Sequence, residues 1–177
     1  MKLYVVRHGE VDSNALKRFN LREEDLNKRG IEQANTLAKT ISQYKFDVVI
    51  SSPLIRAMHT AKIITAGKYE ILIDERLEER KHRNLIGKPF SSLNREDYWN
   101  YHLNLRFENE ETVQELFTRV HDFIEKLKTQ YKNESILIVA HSGISKAIYA
   151  YFNGIPEDGK FLNLGSDNCE VKIYDLK

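Results

Sequence analysis

The sequence has a single cysteine and almost no net charge. Cys169 alone cannot form an internal disulfide, and no group of cysteines and histidines has the spacing of a zinc site. Lysine and arginine total 27 against 26 for aspartate and glutamate, which excludes the strong overall field that favours nucleic-acid or membrane binding. We therefore expect no nucleic-acid partner, no membrane partner, and no metal or other cofactor. Any selectivity for anions must be local.

Long apolar runs, repeats and low-complexity linkers are also missing. The first apolar stretch, residues 3–6, ends at Arg7 and is too short for a signal peptide or a membrane-spanning helix. We expect a cytoplasmic protein in a reducing environment. Because no linker marks a boundary, residues 1–177 are predicted to form a single domain, and a chain of this length buries about 70% of its unfolded surface.

Short apolar runs alternate with segments of helical periodicity. The predicted strands are residues 3–6, 48–50, 71–73, 136–140 and 161–164 and a last strand containing Cys169. The predicted helices are residues 31–41, a helix with Pro53 at its first position, a helix from about Asn109 to Tyr131 with Glu110 and Glu111 in its first turn, and a helix between His141 and Gly154. This alternation predicts an α/β fold with a mostly parallel sheet, in which one of the last two strands is an antiparallel edge.

Side chains that could take part in catalysis follow three of the predicted strands. Arg7 and His8 follow the first, Arg56 lies in the helix after the second, and His141 follows the fourth. Open α/β sheets bind ligands at this edge. A neutral imidazole can attack phosphorus, while a neighbouring guanidinium lowers its proton affinity and binds phosphate oxygens. The arrangement predicts phosphoryl transfer to His8; the alternative is a buried histidine with a structural role only.

The order and spacing of five segments resemble the histidine phosphatase superfamily, also called phosphoglycerate-mutase-like. These segments are Arg7–Glu10 followed by Asn14, Leu26–Ala34, Ser51–Ala61, Arg76–Glu79 and Ala140–Gly143. The resemblance covers essentially the whole chain and implies a three-layer α/β/α fold. It also implies that His8 becomes phosphorylated and that Glu79 is the general acid. The substrate-binding residues that it implies are Arg7, Asn14, Arg56, His141, Ser142 and Gly143.

The segment after Glu79, residues 80–108, is rich in aromatic and charged residues and has no clear period. Loops of this length are usually functional, so we predict a lid-like insertion over the strand ends. The alternative, compatible with a lid, is a satellite apolar cluster around Trp99. Its first residues resemble mutases and bisphosphatases, and we predict that Arg80 and Arg83 bind a second anionic group of the substrate. A solvated charged turn is the competing interpretation.

The function expected from these residues is metal-independent hydrolysis of a small phosphorylated metabolite through a phosphohistidine intermediate. Glu79 would protonate the departing alkoxide and then deprotonate the attacking water. The alternative is a phosphoglycerate mutase or sugar bisphosphatase, supported by the basic stretch alone. A catalytically inactive module that binds phosphorylated ligands is less favoured, because all five expected catalytic positions, His8, Glu79, His141, Arg7 and Arg56, are filled.

Overall fold

The computed structural model describes residues 1–107 and 110–177. Its strands are β1 (Lys2–Arg7), β2 (Val48–Ser51), β3 (Ile71–Ile73), β4 (Ser135–Ala140) and β5 (Val171–Asp175). They form one sheet in the order β3-β2-β4-β1-β5. The pairs β1/β4, β2/β3 and β2/β4 are parallel, and β5 is an antiparallel edge strand on β1. The predicted mostly parallel sheet is confirmed.

Helices cover both faces of this sheet. They are α1 (Asp12–Ala15), α2 (Lys28–Ile41), α3 (Ile55–Ile64), α4 (Arg95–Tyr98), α5 (Val113–Gln130) and α6 (Ser142–Asn153). Single turns of 3-10 helix lie at Glu75–Leu77, Arg83–Leu85 and Phe90–Ser92. Helices α2 and α3 pack on one face of the sheet and α5 and α6 on the other. This is the predicted three-layer α/β/α arrangement.

Strand β4 is central and explains why its sequence is continuously apolar. Residues 136–140 are completely buried, because helices cover both the faces to which successive side chains point. Within the described ranges, no helix combines the length and the hydrophobicity needed to cross a membrane.

Two predicted helix starts are wrong. Helix α5 begins at Val113, where Thr112 and Glu115 form a reciprocal capping box. The acidic residue of the first turn is therefore Glu115, and the two glutamates predicted there precede the helix. Asn109 itself, where the helix was predicted to begin, lies outside the described residues. Helix α3 begins at Ile55 instead of Pro53.

The predicted strand at residues 161–164 is also wrong, since this segment forms turns. Phe161 is completely buried and packs edge-on against Phe117 in α5, with ring centres 4.8 Å apart. Its apolar character thus serves the helical layer and not the sheet. The last predicted strand corresponds to β5, but Cys169 precedes β5 and has a φ of 58°. The prediction that this strand contains Cys169 is therefore wrong. Burial raises the pKa of the Cys169 thiol to about 12, as expected for a structural cysteine.

The predicted lid-like insertion is described up to residue 107, and its last residue, 108, lies outside the described part. Tyr98 and Trp99 are buried in the same apolar core as α5 and α6. The interpretation as a separate satellite cluster is therefore wrong. Phe90, Arg95 and Trp99 line a cavity at the carboxyl ends of the strands, and lid motion stays a prediction.

Candidate active site

His8 lies directly after β1, with its side chain buried. Its backbone N–H donates to the carbonyl of Ala140 at 3.0 Å, which extends the β1/β4 pairing. The ring Nδ1 lies 2.7 Å from the carbonyl oxygen of Gly9. A carbonyl only accepts, so Nδ1 carries the proton and Nε2 keeps its lone pair. Burial, followed by the charges of Arg56 and Arg7, lowers the pKa of His8 well below its usual value. A neutral nucleophilic imidazole results.

The turn after His8 is held from two sides. A Cβ atom on Gly9 would lie 2.5 Å from the carbonyl oxygen of Gly30, so only glycine permits this approach to α2. The Gly9 N–H donates to the Thr60 hydroxyl at 3.0 Å, and that hydroxyl donates to the Arg56 carbonyl at 2.7 Å. The sequence analysis assigned no role to Thr60. The four-residue spacing from Arg56, which places both on one face of α3, was the available signal.

Arg7 and Arg56 present guanidinium groups to the same region. Arg7 Nη1 donates to the carbonyl of Ser166 at 2.9 Å, and Arg56 Nη1 donates to the carbonyl of Leu21 at 3.0 Å. The Nε atom of each is buried and has no hydrogen-bond partner among the described residues. Burial lowers the pKa of both side chains, but arginine stays charged in proteins. Charged donors of this kind suit phosphate oxygens.

His141 is the N-cap residue of α6, and its ring centre lies 5.1 Å from that of His8. Its Nε2 lies 2.8 Å from the Ser52 hydroxyl, while its buried Nδ1 has no partner in the described ranges. Burial, together with Arg56, lowers the pKa of His141 well below its usual value. The structure thus brings together the two histidines and two arginines that the sequence predicts at three strand ends.

Glu79 approaches this group from the segment that follows β3. Its Oε1 accepts from the N–H of Gly143 at 3.1 Å and from the N–H of Arg80 at 2.8 Å. A favourable N-terminal turn of α6 therefore holds the carboxylate. The N–H of Gly143, predicted to bind substrate, contacts Glu79 in the structure. This contact suits a positioning role, and the predicted contact of Gly143 with substrate stays a prediction.

Two adjoining cavities meet at Glu79. The first has a volume of about 460 Å³ and is lined by Arg56 and Arg83 among others. The second has a volume of about 370 Å³ and is lined by Arg7 among others. Asn20, Glu79 and His82 line both. The two cavities therefore share a wall, with Arg56 in the lining of the first and Arg7 in the lining of the second.

Asn14 and Ser142 both line the second cavity. The Asn14 Oδ1 accepts from the N–H of Val11 at 3.3 Å, and its Nδ2 donates to Asn20 at 3.2 Å. The Ser142 hydroxyl accepts from Lys146 Nζ at 3.0 Å. These positions suit the substrate contacts predicted for Asn14 and Ser142, which stay predictions.

Arg80 is buried and not exposed at an entrance, since the residue is only 2% exposed. It still lines the first cavity, and its Nη2 has no hydrogen-bond partner among the described residues, so the predicted contact of Arg80 with a second anionic group stays a prediction. Its Nε donates to the carbonyl of Glu111 at 2.8 Å and its Nη1 to that of Tyr98 at 2.6 Å. The guanidinium also lies 3.6 Å from the Tyr98 ring centre. These contacts tie the insertion to the residues before α5. Arg83 is exposed in the wall of the first cavity, where its role stays a prediction.

The sequence analysis missed the loop of residues 162–168, which forms one wall of the second cavity. The Ser145 hydroxyl accepts from the Ser166 N–H at 2.9 Å, and Asn168 Nδ2 donates to the His8 carbonyl at 2.8 Å. The run Gly165 to Asn168, rich in turn-forming residues, was the signal for a loop. Over residues 1–107 and 110–177, no group of three or more His, Cys, Asp or Glu side chains is arranged to hold a metal ion.

Comparison with known proteins agrees with this geometry. The family model of the histidine phosphatase superfamily (branch 1) matches residues 3–177. The chain is 29% identical to phosphoserine phosphatase 1 of Hydrogenobacter thermophilus, over 100% of this chain and 87% of that protein. It is also 29% identical to a 2,3-bisphosphoglycerate-dependent phosphoglycerate mutase of Rhizobium johnstonii, over 99% of this chain and 90% of that protein.

Solved structures share the fold. A phosphoserine phosphatase mutant from Entamoeba histolytica, in complex with phosphoserine, superposes with a TM-score of 0.85 at 25% identity. The match covers 99% of this chain and 91% of the other.

Proposed function

Because this chain belongs to branch 1 of the histidine phosphatase superfamily, we propose that it hydrolyses a small phosphorylated metabolite through a phosphohistidine on His8. The observation that carries the proposal is the buried, neutral ring of His8, whose Nδ1 proton is held by Gly9. The charged groups of Arg7 and Arg56 flank that ring.

In the first step, Nε2 of His8 attacks phosphorus and the bond from phosphorus to the alcohol oxygen breaks. Glu79 donates a proton to that oxygen, so the alcohol leaves neutral. Arg7, Arg56 and His141 bind the remaining phosphate oxygens, where negative charge must be stabilised during transfer. In support of this role, Glu79 lines both cavities.

In the second step, water attacks phosphorus, the nitrogen–phosphorus bond breaks and His8 regains its lone pair. The Glu79 carboxylate takes the proton of the attacking water, which restores the acid for the next cycle. Inorganic phosphate is the product. Two guanidinium groups supply the positive charge that a divalent ion supplies in other phosphatases.

We expect hydrolysis to survive removal of divalent ions. The enzyme is dialysed against EDTA, and inorganic phosphate release from p-nitrophenyl phosphate is measured with and without added Mg²⁺. The two rates should be equal, because the groups that bind phosphate are side chains of the protein. Loss of activity on chelation that a divalent ion restores would contradict the proposal.

A mutase is the alternative, since one relative is named as such. The argument from the basic stretch is weakened, because two nitrogens of the Arg80 guanidinium donate to the backbone carbonyls of Glu111 and Tyr98. Incubation of the same chelated enzyme with 3-phosphoglycerate and a trace of 2,3-bisphosphoglycerate, the phosphoryl donor that such a mutase requires, separates the two. A phosphatase releases inorganic phosphate, whereas a mutase forms 2-phosphoglycerate without net release.

A further inference from the structure

We propose that the second cavity binds an anionic group on the alcohol part of the substrate, through the cations Lys146 and Arg95. This inference rests on the proposed function, since it places the phosphate against His8 and the alcohol in the adjoining cavity. Neither cation belongs to the stretch for which the sequence predicted this role.

Lys146 is a buried cation without an ion-pair partner in the part of the chain that the structure describes. Its side chain lies in α6 and the residue is 4% exposed. Its Nζ donates to the Ser142 hydroxyl at 3.0 Å and lies 4.9 Å from the Trp99 ring centre. Among the described residues, no carboxylate oxygen lies within 4.0 Å of Nζ. Burying an ammonium without a counter-ion is costly, so its position at a cavity wall points to an anionic ligand.

The surroundings hold this ammonium in place. A Cβ atom on Gly165 would lie 2.5 Å from both Lys146 Nζ and the Ser142 hydroxyl. The loop backbone therefore lies directly against the pair. Lys172 secures the loop by donating to the Gly165 carbonyl at 3.0 Å. A cation fixed in this way is preorganised for binding.

Arg95 lines the same cavity from α4, within the insertion. Its guanidinium lies 4.1 Å from the Phe90 ring centre, and its Nε is buried with no hydrogen-bond partner in the part of the chain that the structure describes. No described carboxylate pairs with it within 4.0 Å. Helices α4 and α6 thus bring to one cavity two cations that form no ion pair with a described carboxylate.

Three carboxylates also line this cavity, but within the described ranges none forms an ion pair of 4.0 Å or less with either cation. Glu10 accepts from Asn27 Nδ2 at 3.1 Å, and Glu79 is held by the N-terminus of α6. Asp167 is exposed. A carboxylate or a second phosphate on the substrate supplies the negative charge. Pairs of substrates that differ by only one of these groups tell the two apart.

The proposal predicts a pH dependence. Burial lowers the pKa of Lys146 to about 7; Arg7, Arg95 and Lys172 act in the same direction and Glu79 opposes them. The ammonium is therefore charged below about pH 7 and loses its charge above it. The kcat/KM ratio of a substrate with a second anion to one without it should fall as the pH rises through 7. Lys146→Arg should remove this fall, because arginine keeps its charge.

Lys146→Met tests the site with two pairs of substrates. O-phosphoserine differs from O-phosphoethanolamine by a carboxylate, and propane-1,3-diol bisphosphate differs from propyl phosphate by a second phosphate. The pair that matters is the one whose two members have different kcat/KM values with the wild type. For the member of that pair with the second anion, we expect the KM of Lys146→Met to be roughly tenfold or more above that of the wild type. The KM of its partner and the kcat of both should change little. Lys146→Arg should restore most of the discrimination.

The control is Lys160→Met, which removes an exposed lysine paired with Glu96 and should leave both ratios unchanged. If Lys146→Met fails to fold, Arg95→Gln gives the same readout from the second cation of the cavity. Equal changes of KM within both pairs would overturn the proposal and make Lys146 structural. Failure of the wild type to hydrolyse p-nitrophenyl phosphate would instead overturn the proposed function.

Discussion

His8→Ala is expected to reduce the turnover of every phosphate monoester by a factor on the order of 10⁴ or more, because alanine removes the nucleophile. The remaining arginines would still bind phosphate, so KM should change less than kcat. Steady-state release of inorganic phosphate measures the loss, with circular dichroism to verify the fold.

The matched control for this loss is His59→Ala. His59 lies on α3, is partly exposed and pairs with Asp25 at 2.9 Å. Its removal should leave turnover near that of the wild type. Near-normal turnover of His8→Ala would make His8 a structural residue and end the proposed mechanism.

Glu79→Gln is expected to separate substrates by their leaving groups. An alkyl alcohol must be protonated as it departs, whereas a nitrophenolate leaves without help. General acid catalysis is typically worth about a hundredfold to ten-thousandfold, so the variant should lose that factor on an alkyl phosphate and much less on an aryl phosphate. Single-turnover phosphorylation of His8 by the two substrates measures the difference.

Glu78→Gln supplies the comparison one residue earlier. Its carboxylate binds Arg22 through two hydrogen bonds of 2.8 and 3.1 Å, so any effect should be equal for both leaving groups. Equal losses for alkyl and aryl esters in Glu79→Gln would remove Glu79 from the acid role.

The centre of the site was predictable because of where it lies in the sheet. Strands β1 and β4 are buried on both faces, so their sequences are short apolar runs that end sharply. His8 and His141 follow those ends directly. The sequence therefore predicted both the sheet and the meeting of these two histidines.

Other parts depend on contacts between distant residues. Glu79 lies in a run of charges that resembles a solvated face, so the family resemblance alone indicated its role. Arg80 is buried because Tyr98 and Glu111 accept its hydrogen bonds from far along the chain. Phe161 was assigned to a strand, but it fills the core against α5. Hydrophobic periodicity carries no information on such pairings.

The sequence around Lys146 contains a signal of burial from which no prediction was made. Its neighbours on α6, including Gly143, Ala147 and Ala150, are buried, so a lysine at this spacing must also face the interior. A buried lysine needs an anionic partner or a polar cavity. The sequence alone reveals neither a partner nor a cavity for Lys146, because the cavity is formed in part by the distant loop of residues 162–168.

The most direct test of the account is to trap the intermediate. Wild-type enzyme is mixed with a radiolabelled phosphate monoester, quenched within one turnover, and split between acid and alkali before peptide mapping. The account predicts a label on His8 that alkali preserves and acid destroys. A label that resists acid and maps to a serine, or turnover without any labelled enzyme, would contradict it.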